Sequence, residues 1–223
     1  MTVDEQLTAT PQPAADAPTV TEPRDTFYVR KGKRVFDLVV AIPVMLLLLP
    51  LFATVAILGL CLLGRPLIFW QERVGREGGP FSMLKFRSMK HDRRVTPSEI
   101  GPDDRRRTHK SVNDPRHTMY GRIIRKTSID ELPQLWNVVR GDMSLVGPRP
   151  ELPEIASRYG LIEHPRHTVR PGLTGLWQIS NDRPGFVHEN VKYDEEYLRS
   201  VSFFTDIKIL LKTIPVLLRG GGL

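Results

Sequence analysis

Residues 35–63 read VFDLVVAIPVMLLLLPLFATVAILGLCLL, and how this run meets a bilayer decides the fold. Its only charge is Asp37, close to its start, and Pro50 sits near its middle. About 20 apolar residues in a helix cross a ~30 Å hydrocarbon core, so hydropathy alone reads one transmembrane helix. The flanks argue otherwise. Arg30, Lys31, Lys33 and Arg34 precede the run, while Arg65, Arg73, Arg76, Lys85 and Arg87 follow it. A simple span carries its positive charge mostly on the cytoplasmic side. A helix that enters the bilayer, bends at Pro50 and leaves on the same side satisfies both flanks; the alternative is an ordinary kinked spanning helix, which membranes tolerate. Proline removes a backbone hydrogen bond and crowds the carbonyl four residues earlier, and Pro43 is a second weak point.

Outward from this run, the composition fixes the class of partner. The 223 residues carry a net charge of +7 and a pI near 9.7, which favours phosphates, acidic headgroups or nucleic acid. The single cysteine, Cys61, lies inside the run. No disulfide framework can form, and a reducing compartment is consistent with that. The run starts too late and is too long for a secretory signal.

Residues 1–26 are rich in Pro, Thr and Ala, bury too little to offset chain entropy, and read as a disordered tail. Residues 27–64 form a basic aromatic lead-in and the membrane helix; residues 65–223 form a further domain against the membrane. In that domain, Leu67–Val74 and Phe81–Met89 flank GREGGP and predict a hairpin. Trp70 and Phe69 suit the interface, and Arg73, Lys85 and Arg87 reach for anions. His91–Asn113 reads as a long loop. Its Arg105-Arg106-Arg107 run fits a solvated or headgroup-facing cluster, since no nucleic-acid module surrounds it. Leu132, Leu135, Trp136 and Val139 recur at helical spacing, with Gly141 placed to stop the helix. A helix is expected over Leu152–Tyr159. Another is expected from Val191 until Pro215, with Val201, Phe204, Ile207, Leu211 and Ile214 packing on the core or lying in the interface plane. The fold class is α+β and mostly helical.

Asp130 and Glu131 are adjacent acids at a helix start. Ser128 followed by Glu131 is a capping-box pattern, and with Asp130 as the N-cap Pro133 falls in the first turn; both registers stay open. The chemical reading uses the same groups. An ionised aspartate can attack phosphorus or ligate Mg²⁺, which takes one or two carboxylates together with substrate phosphates. Arg149 lies between Pro148 and Pro150, and Arg170 precedes Pro171. Proline stiffens both turns, as a bidentate phosphate clamp requires. Arg122, Arg125 and Lys126 add charge just before the acids.

Residues 33–218 resemble the bacterial sugar transferases that act on polyprenol phosphate, the monotopic phosphoglycosyltransferases. The resemblance rests on KRVFD at 33–37 with its proline-broken helix, QERVG at 71–75, LKFRSM at 84–89 and NDPR at 113–116. It rests above all on RKTSIDELPQLWNVVRGDMSLVGPRP at 125–150, and RPGLTGLWQ at 170–178 completes the set. It implies a re-entrant helix broken at Pro50 and a catalytic domain on the cytoplasmic face of the cell membrane. It also implies transfer of a sugar 1-phosphate from a UDP-sugar to undecaprenyl phosphate with release of UMP, the first membrane step of a surface glycan. Asp130 is then the nucleophile and a Mg²⁺ ligand, and Glu131 assists. Arg125, Arg149 and Arg170 bind phosphate, with Lys85 and Arg87 as further contacts. Downstream glycosyltransferases follow as partners, and nucleic acid does not. The sequence departs from the family at Leu49, where relatives often carry serine. It also lacks the multi-span N-terminal domain of larger relatives, so it looks like the short form. The reading that competes from another class is a non-enzymatic, membrane-anchored polyanion binder. A two-metal phosphatase fits poorly, because His109, His117, His164, His167 and His188 are scattered.

Overall fold

The apolar run folds as two helices rather than one in the computed structural model, which describes residues 26–90, 118–180 and 187–220. A π-helical turn (Tyr28–Gly32) leads into α1 (Lys33–Leu47), and α2 (Leu49–Leu63) follows after a bend of 58°. No single helix among the described residues is long and apolar enough to cross a membrane; the bent pair passes that test only together. The break falls at Leu48, two residues ahead of the proline expected to cause it. Pro50 occupies the first turn of α2, where a missing N–H costs little, while its ring crowds the carbonyl of Leu46. Pro43 lies inside α1 without ending it. The Thr54 hydroxyl donates to the Pro50 carbonyl at 2.9 Å, so a side-chain hydroxyl supports the backbone just after the bend, with Leu49 before it.

One face of α1 belongs to the protein core. Asp37 is fully buried and accepts from the Ser144 hydroxyl (2.9 Å) and the Leu145 N–H (3.0 Å). Ala41, one turn later, packs in the cluster that holds Leu135, Val138, Met143, Leu145 and Val146. Lys33 pairs at 2.6 Å with Asp206, which also accepts from the hydroxyls of Tyr28 (2.6 Å) and Tyr197 (2.8 Å). The outer faces of both helices are apolar and exposed, including Val35, Val39, Leu46, Leu47, Ile57 and Leu62. An apolar surface of this extent marks a membrane or a partner.

The expected hairpin forms. β1 (Ile68–Val74) runs antiparallel to β2 (Pro80–Phe86), pairing Ile68 with Phe86 and Val74 with Pro80. Trp70 and Phe69 are exposed on β1. Beyond it come α3 (Met119–Lys126), α4 (Gln134–Arg140), β3 (Ser144–Val146) and α5 (Pro153–Arg158). Then follow β4 (Gly172–Thr174), the short α6 (Leu176–Ile179), α7 (Lys192–Ser200) and α8 (Phe203–Leu218). β3 and β4 form a second, parallel pair. The class is mostly helical α+β with two small sheets.

Two expectations need correction. Neither capping register holds at the acids: Ser128 is left-handed (φ 56°), Ile129–Glu131 is a 3₁₀ turn, and the N-cap of α4 is Pro133 without a side-chain cap. The C-terminal helix is split, because Ser202 caps α8 by accepting from the Thr205 N–H; Pro215 then stays inside α8, which runs on to Leu218. Its apolar face is divided between the core and the surface. Val201 is in the core with Ile209, whereas Phe204, Leu211 and Ile214 are exposed. The expected tail at 1–26 (apart from Thr26), the loop His91–Asn113 with its arginine run, and the NDPR stretch at 113–116 lie outside the described residues.

Candidate active site

The side chains of the site come from β2, α3, the 3₁₀ turn Ile129–Glu131 and the chain after β3. α3 begins at Thr118, whose hydroxyl accepts from the Gly121 N–H at 3.0 Å. A Cβ on Gly121 would lie 1.8 Å from the Ser88 carbonyl oxygen. Only glycine lets α3 close on the chain leaving β2, and this approach brings Arg125 toward the acids. The left-handed turn at Ser128 reverses the chain, and the 3₁₀ turn presents Asp130 and Glu131 in opposite environments. Glu131 is clamped: its Oε1 accepts from Lys85 Nζ at 2.7 Å and from Arg149 Nη2 at 2.9 Å. Asp130 is 7% exposed and makes no hydrogen bond or ion pair among the described residues.

The electrostatics separate the two acids further. Burial pushes the Glu131 carboxyl up, but Arg149 and Lys85 overcome it and hold the group well below the usual carboxylate range. For Asp130, burial wins and raises the carboxyl to about 6; Lys85 draws it down, Glu131 adds to the rise, and Arg125 and Arg149 pull against it. Glu131 is therefore a fixed anion that holds two cations in place. Asp130 is the acid whose charge is still available.

Arg149 is braced from behind. Arg166, 1% exposed, donates to the Arg149 carbonyl at 2.6 Å and pairs with Asp194 at 3.0 Å. Arg73 donates to the Pro150 carbonyl at 3.2 Å and faces Glu151 at 3.6 Å. Gln134 lines a cavity of about 10 Å³ beside Arg149 and Arg73, room for about one water. Sequence reading missed Arg166, Gln134 and Glu151. The one available signal was the His164-to-Thr168 turn that carries Arg166 two residues behind a histidine N-cap.

Lys85, Arg125 and Arg149 thus converge on Asp130 and Glu131. The other two arginines expected to bind phosphate lie elsewhere. Arg170 donates from Nε to the Gly141 carbonyl at 2.9 Å, at the far end of α4, where the charges that reach it are Arg34, Arg76 and Asp37. Arg87 donates to the carbonyls of Leu63, Gly64 (2.7 Å) and Arg65 (2.9 Å), closing the end of α2. A stiff backbone fixes where such a side chain starts but not where it points. Each arginine satisfies helix-end carbonyls, which need a donor.

Among the described residues no group of three or more His, Cys, Asp or Glu could hold a metal ion. A tight all-protein cage is thus absent there. A Mg²⁺ ion held largely by substrate phosphates needs only one or two carboxylates, and the unpaired Asp130 meets that lesser demand.

An unpaired buried acid ringed by three cations, one of them braced through its backbone, is a site suited to phosphate chemistry. The sequence profile of the family described as "Bacterial sugar transferase" matches residues 28–220, and the chain belongs to that family. It is 44% identical over 196 residues to the UDP-galactose-lipid carrier transferase of Erwinia amylovora, covering 85% of this chain and 41% of that protein. It is 39% identical over 210 residues to the exopolysaccharide production protein ExoY of Rhizobium meliloti, covering 90% of this chain and 93% of that one. It is also 40% identical over 196 residues to the undecaprenyl-phosphate galactose phosphotransferase of Salmonella typhimurium, covering 85% and 41%. The chain therefore spans about two fifths of the length of two of these relatives.

Proposed function

We propose that this protein transfers a sugar 1-phosphate from a UDP-sugar to undecaprenyl phosphate, releasing UMP, through a covalent phosphosugar–Asp130 intermediate. The observation that carries the reading is the pairing of Asp130, buried and unpaired, with a Glu131 that holds Lys85 and Arg149 beside it. Family membership and the names of the relatives support the same substrates.

In the first step an Asp130 carboxylate oxygen attacks the sugar-bearing phosphorus. The bond from that phosphorus to the bridging oxygen breaks, and UMP leaves with the electron pair. In the second step a phosphate oxygen of the lipid attacks the same phosphorus and the Asp130 carboxylate departs, leaving a prenyl diphosphate sugar. Phosphoryl transfer depends mainly on positioning and charge neutralisation, which Lys85, Arg125 and Arg149 provide. Mg²⁺, held by Asp130 and the substrate phosphates, would add neutralisation of the diphosphate. The product feeds glycosyltransferases that extend a surface glycan. Mg²⁺-dependent release of UMP from a panel of UDP-sugars, up to one equivalent without lipid acceptor, tests the reading. No release from any donor would favour the polyanion binder.

Asp130 must be ionised to attack, so UMP release should follow its titration. With the carboxyl raised to about 6, the burst rate at pH 5 should be roughly tenfold below the plateau above pH 7. Added Mg²⁺ should shift the midpoint to lower pH. Rapid-quench measurement from pH 5 to 8 decides this, and a flat profile would remove Asp130 as the titrating group. Stability runs the other way. A carboxyl raised from 3.8 to about 6 favours the folded state when protonated, so this contribution fades as pH rises through that window.

The bent pair α1–α2 is proposed to sit in the cytoplasmic leaflet with both ends on one side, since soluble donor and lipid phosphate must meet at Asp130. Cysteines placed at Arg30 and Arg76 in a Cys61→Ser background should be labelled from the cytoplasm alone. Labelling from opposite sides would mean that the pair spans the membrane.

A further inference from the structure

The segment 148–151, between β3 and α5, forms neither helix nor strand, yet each of its four carbonyls is held from outside the segment. Pro148 accepts from the N–H of Gly172 on β4 (2.8 Å), and Glu151 accepts from the N–H of Val74 at the end of β1 (2.9 Å). Between them, Arg149 accepts from Arg166 Nη2 (2.6 Å) and Pro150 from Arg73 Nη1 (3.2 Å). Each of these two guanidiniums stands beside a carboxylate: Arg166 beside Asp194 of α7 at 3.0 Å, Arg73 beside Glu151 at 3.6 Å. Arg166 and Asp194 are both buried. A buried ion pair is weak evidence of stability, since an apolar pair of similar volume often holds a fold as well or better. An apolar pair cannot donate to a carbonyl. The carbonyl that Arg166 reaches belongs to the residue whose side chain donates to Glu131 at 2.9 Å.

We propose that Arg166, held by Asp194, is a positioning residue for the transfer: through the Arg149 carbonyl it fixes where the Arg149 guanidinium stands beside the two acids. The inference rests on the transfer reading above and adds a residue that acts only through another. With its backbone gripped at one end and its guanidinium on Glu131 at the other, Arg149 has little freedom left. Such support matters because a misplacement of about 1 Å can cost about 10²-fold in rate. One chain of contacts, Asp194 to Arg166 to Arg149 to Glu131, thereby links α7 to the site.

The full chain in phosphatidylethanolamine–phosphatidylglycerol nanodiscs tests it. Arg166→Met alone strands the Asp194 charge and should lower the melting temperature. Adding Asp194→Leu should recover most of that loss. The UMP burst of the double variant, at a saturating concentration of the UDP-sugar that the donor panel selects, should still be about 10²-fold slower than wild type. A purely structural role makes rate and melting temperature recover together, and that result would overturn the proposal. Arg166→Lys keeps the charge beside Asp194 on a stem one bond shorter, and it replaces the double variant in every measurement if the latter does not fold. In an Arg149→Gln background the same replacements should slow the burst by less than about threefold more; a second loss of about 10²-fold would mean that Arg166 acts elsewhere. A further readout needs no turnover. In protein carrying isotope-labelled arginine, the heteronuclear NOE of the Arg149 Nε–H, assigned by its loss in Arg149→Gln, should fall from a rigid to a mobile value when Arg166 is replaced. An unchanged value would also overturn the proposal. If wild-type protein released no UMP from any donor, the transfer reading would fail, while this signal would still decide whether Arg166 holds Arg149.

Discussion

Asp130→Asn protein is expected to release UMP at least about 10⁴-fold more slowly than wild type, the scale seen when a nucleophile is removed. The substitution keeps shape and size and removes only the anion. Asp130 makes no hydrogen bond or ion pair among the described residues, so its neutral form breaks no ion pair there and the fold should survive. Glu131 cannot take over, because its Oε1 is held by Lys85 and Arg149. Intact-mass measurement of wild-type protein mixed with donor alone should show the added sugar phosphate, and the variant should not. Turnover of Asp130→Asn protein at the wild-type rate, with an unchanged melting temperature, would rule out the covalent route.

The largest effect on stability should come from far outside that site. Asp206 is fully buried and accepts from Lys33, Tyr28 and Tyr197. It thereby fastens α8 and α7 to the start of α1. Asp206→Leu leaves the Lys33 ammonium, 7% exposed, without its counter-charge, and breaking such a pair from one side costs about 3–5 kcal/mol. For a chain of this length the melting temperature should fall by roughly 6–20 °C. Restoring balance with Lys33→Met in the same protein should recover most of the loss, since an apolar pair replaces a buried ion pair at little cost. A single variant that melts within about 1 °C of wild type would show that Lys33 finds water instead. The loss measures truncation of the pair and says little about the net worth of the intact one.

What could be read from the sequence divides by the range of the physics involved. The hairpin was legible because strand-like runs and a glycine-rich turn are neighbours in the chain. So was the end of α4, where Gly141 at φ 97° does what only glycine does cheaply. The bend needed a proline, and one was there, but its place at Leu48 depends on which carbonyl is crowded. Convergence was harder to read. Positions 85, 125 and 149 share no spacing, and only the close approach at Gly121 and the reversal at Ser128 bring them to one point. Ser128 gave no warning, since a serine at φ 56° looks like any other serine. Arg170 sat before a proline as Arg149 does, and Arg87 in a basic strand like Lys85, yet each turned to a helix end. The β3–β4 pair is three residues a side and too short to show alternation. The split before α8 was written in Ser202, which reads as a cap once the helix pattern is allowed to restart.

Asp37 and Ala41 carry a consequence for what the apolar run is to this protein. With Asp37 Oδ1 accepting from Ser144 and Leu145 and Ala41 among the core side chains, α1 is a structural wall of the head rather than a tether tied to it. A tether can be swapped for any other greasy segment of the same length, because nothing in the head knows its sequence. A wall cannot. The run is more like a keel laid before the hull: whatever surface its apolar faces meet, the head is fixed to that surface through Asp37 and Ala41.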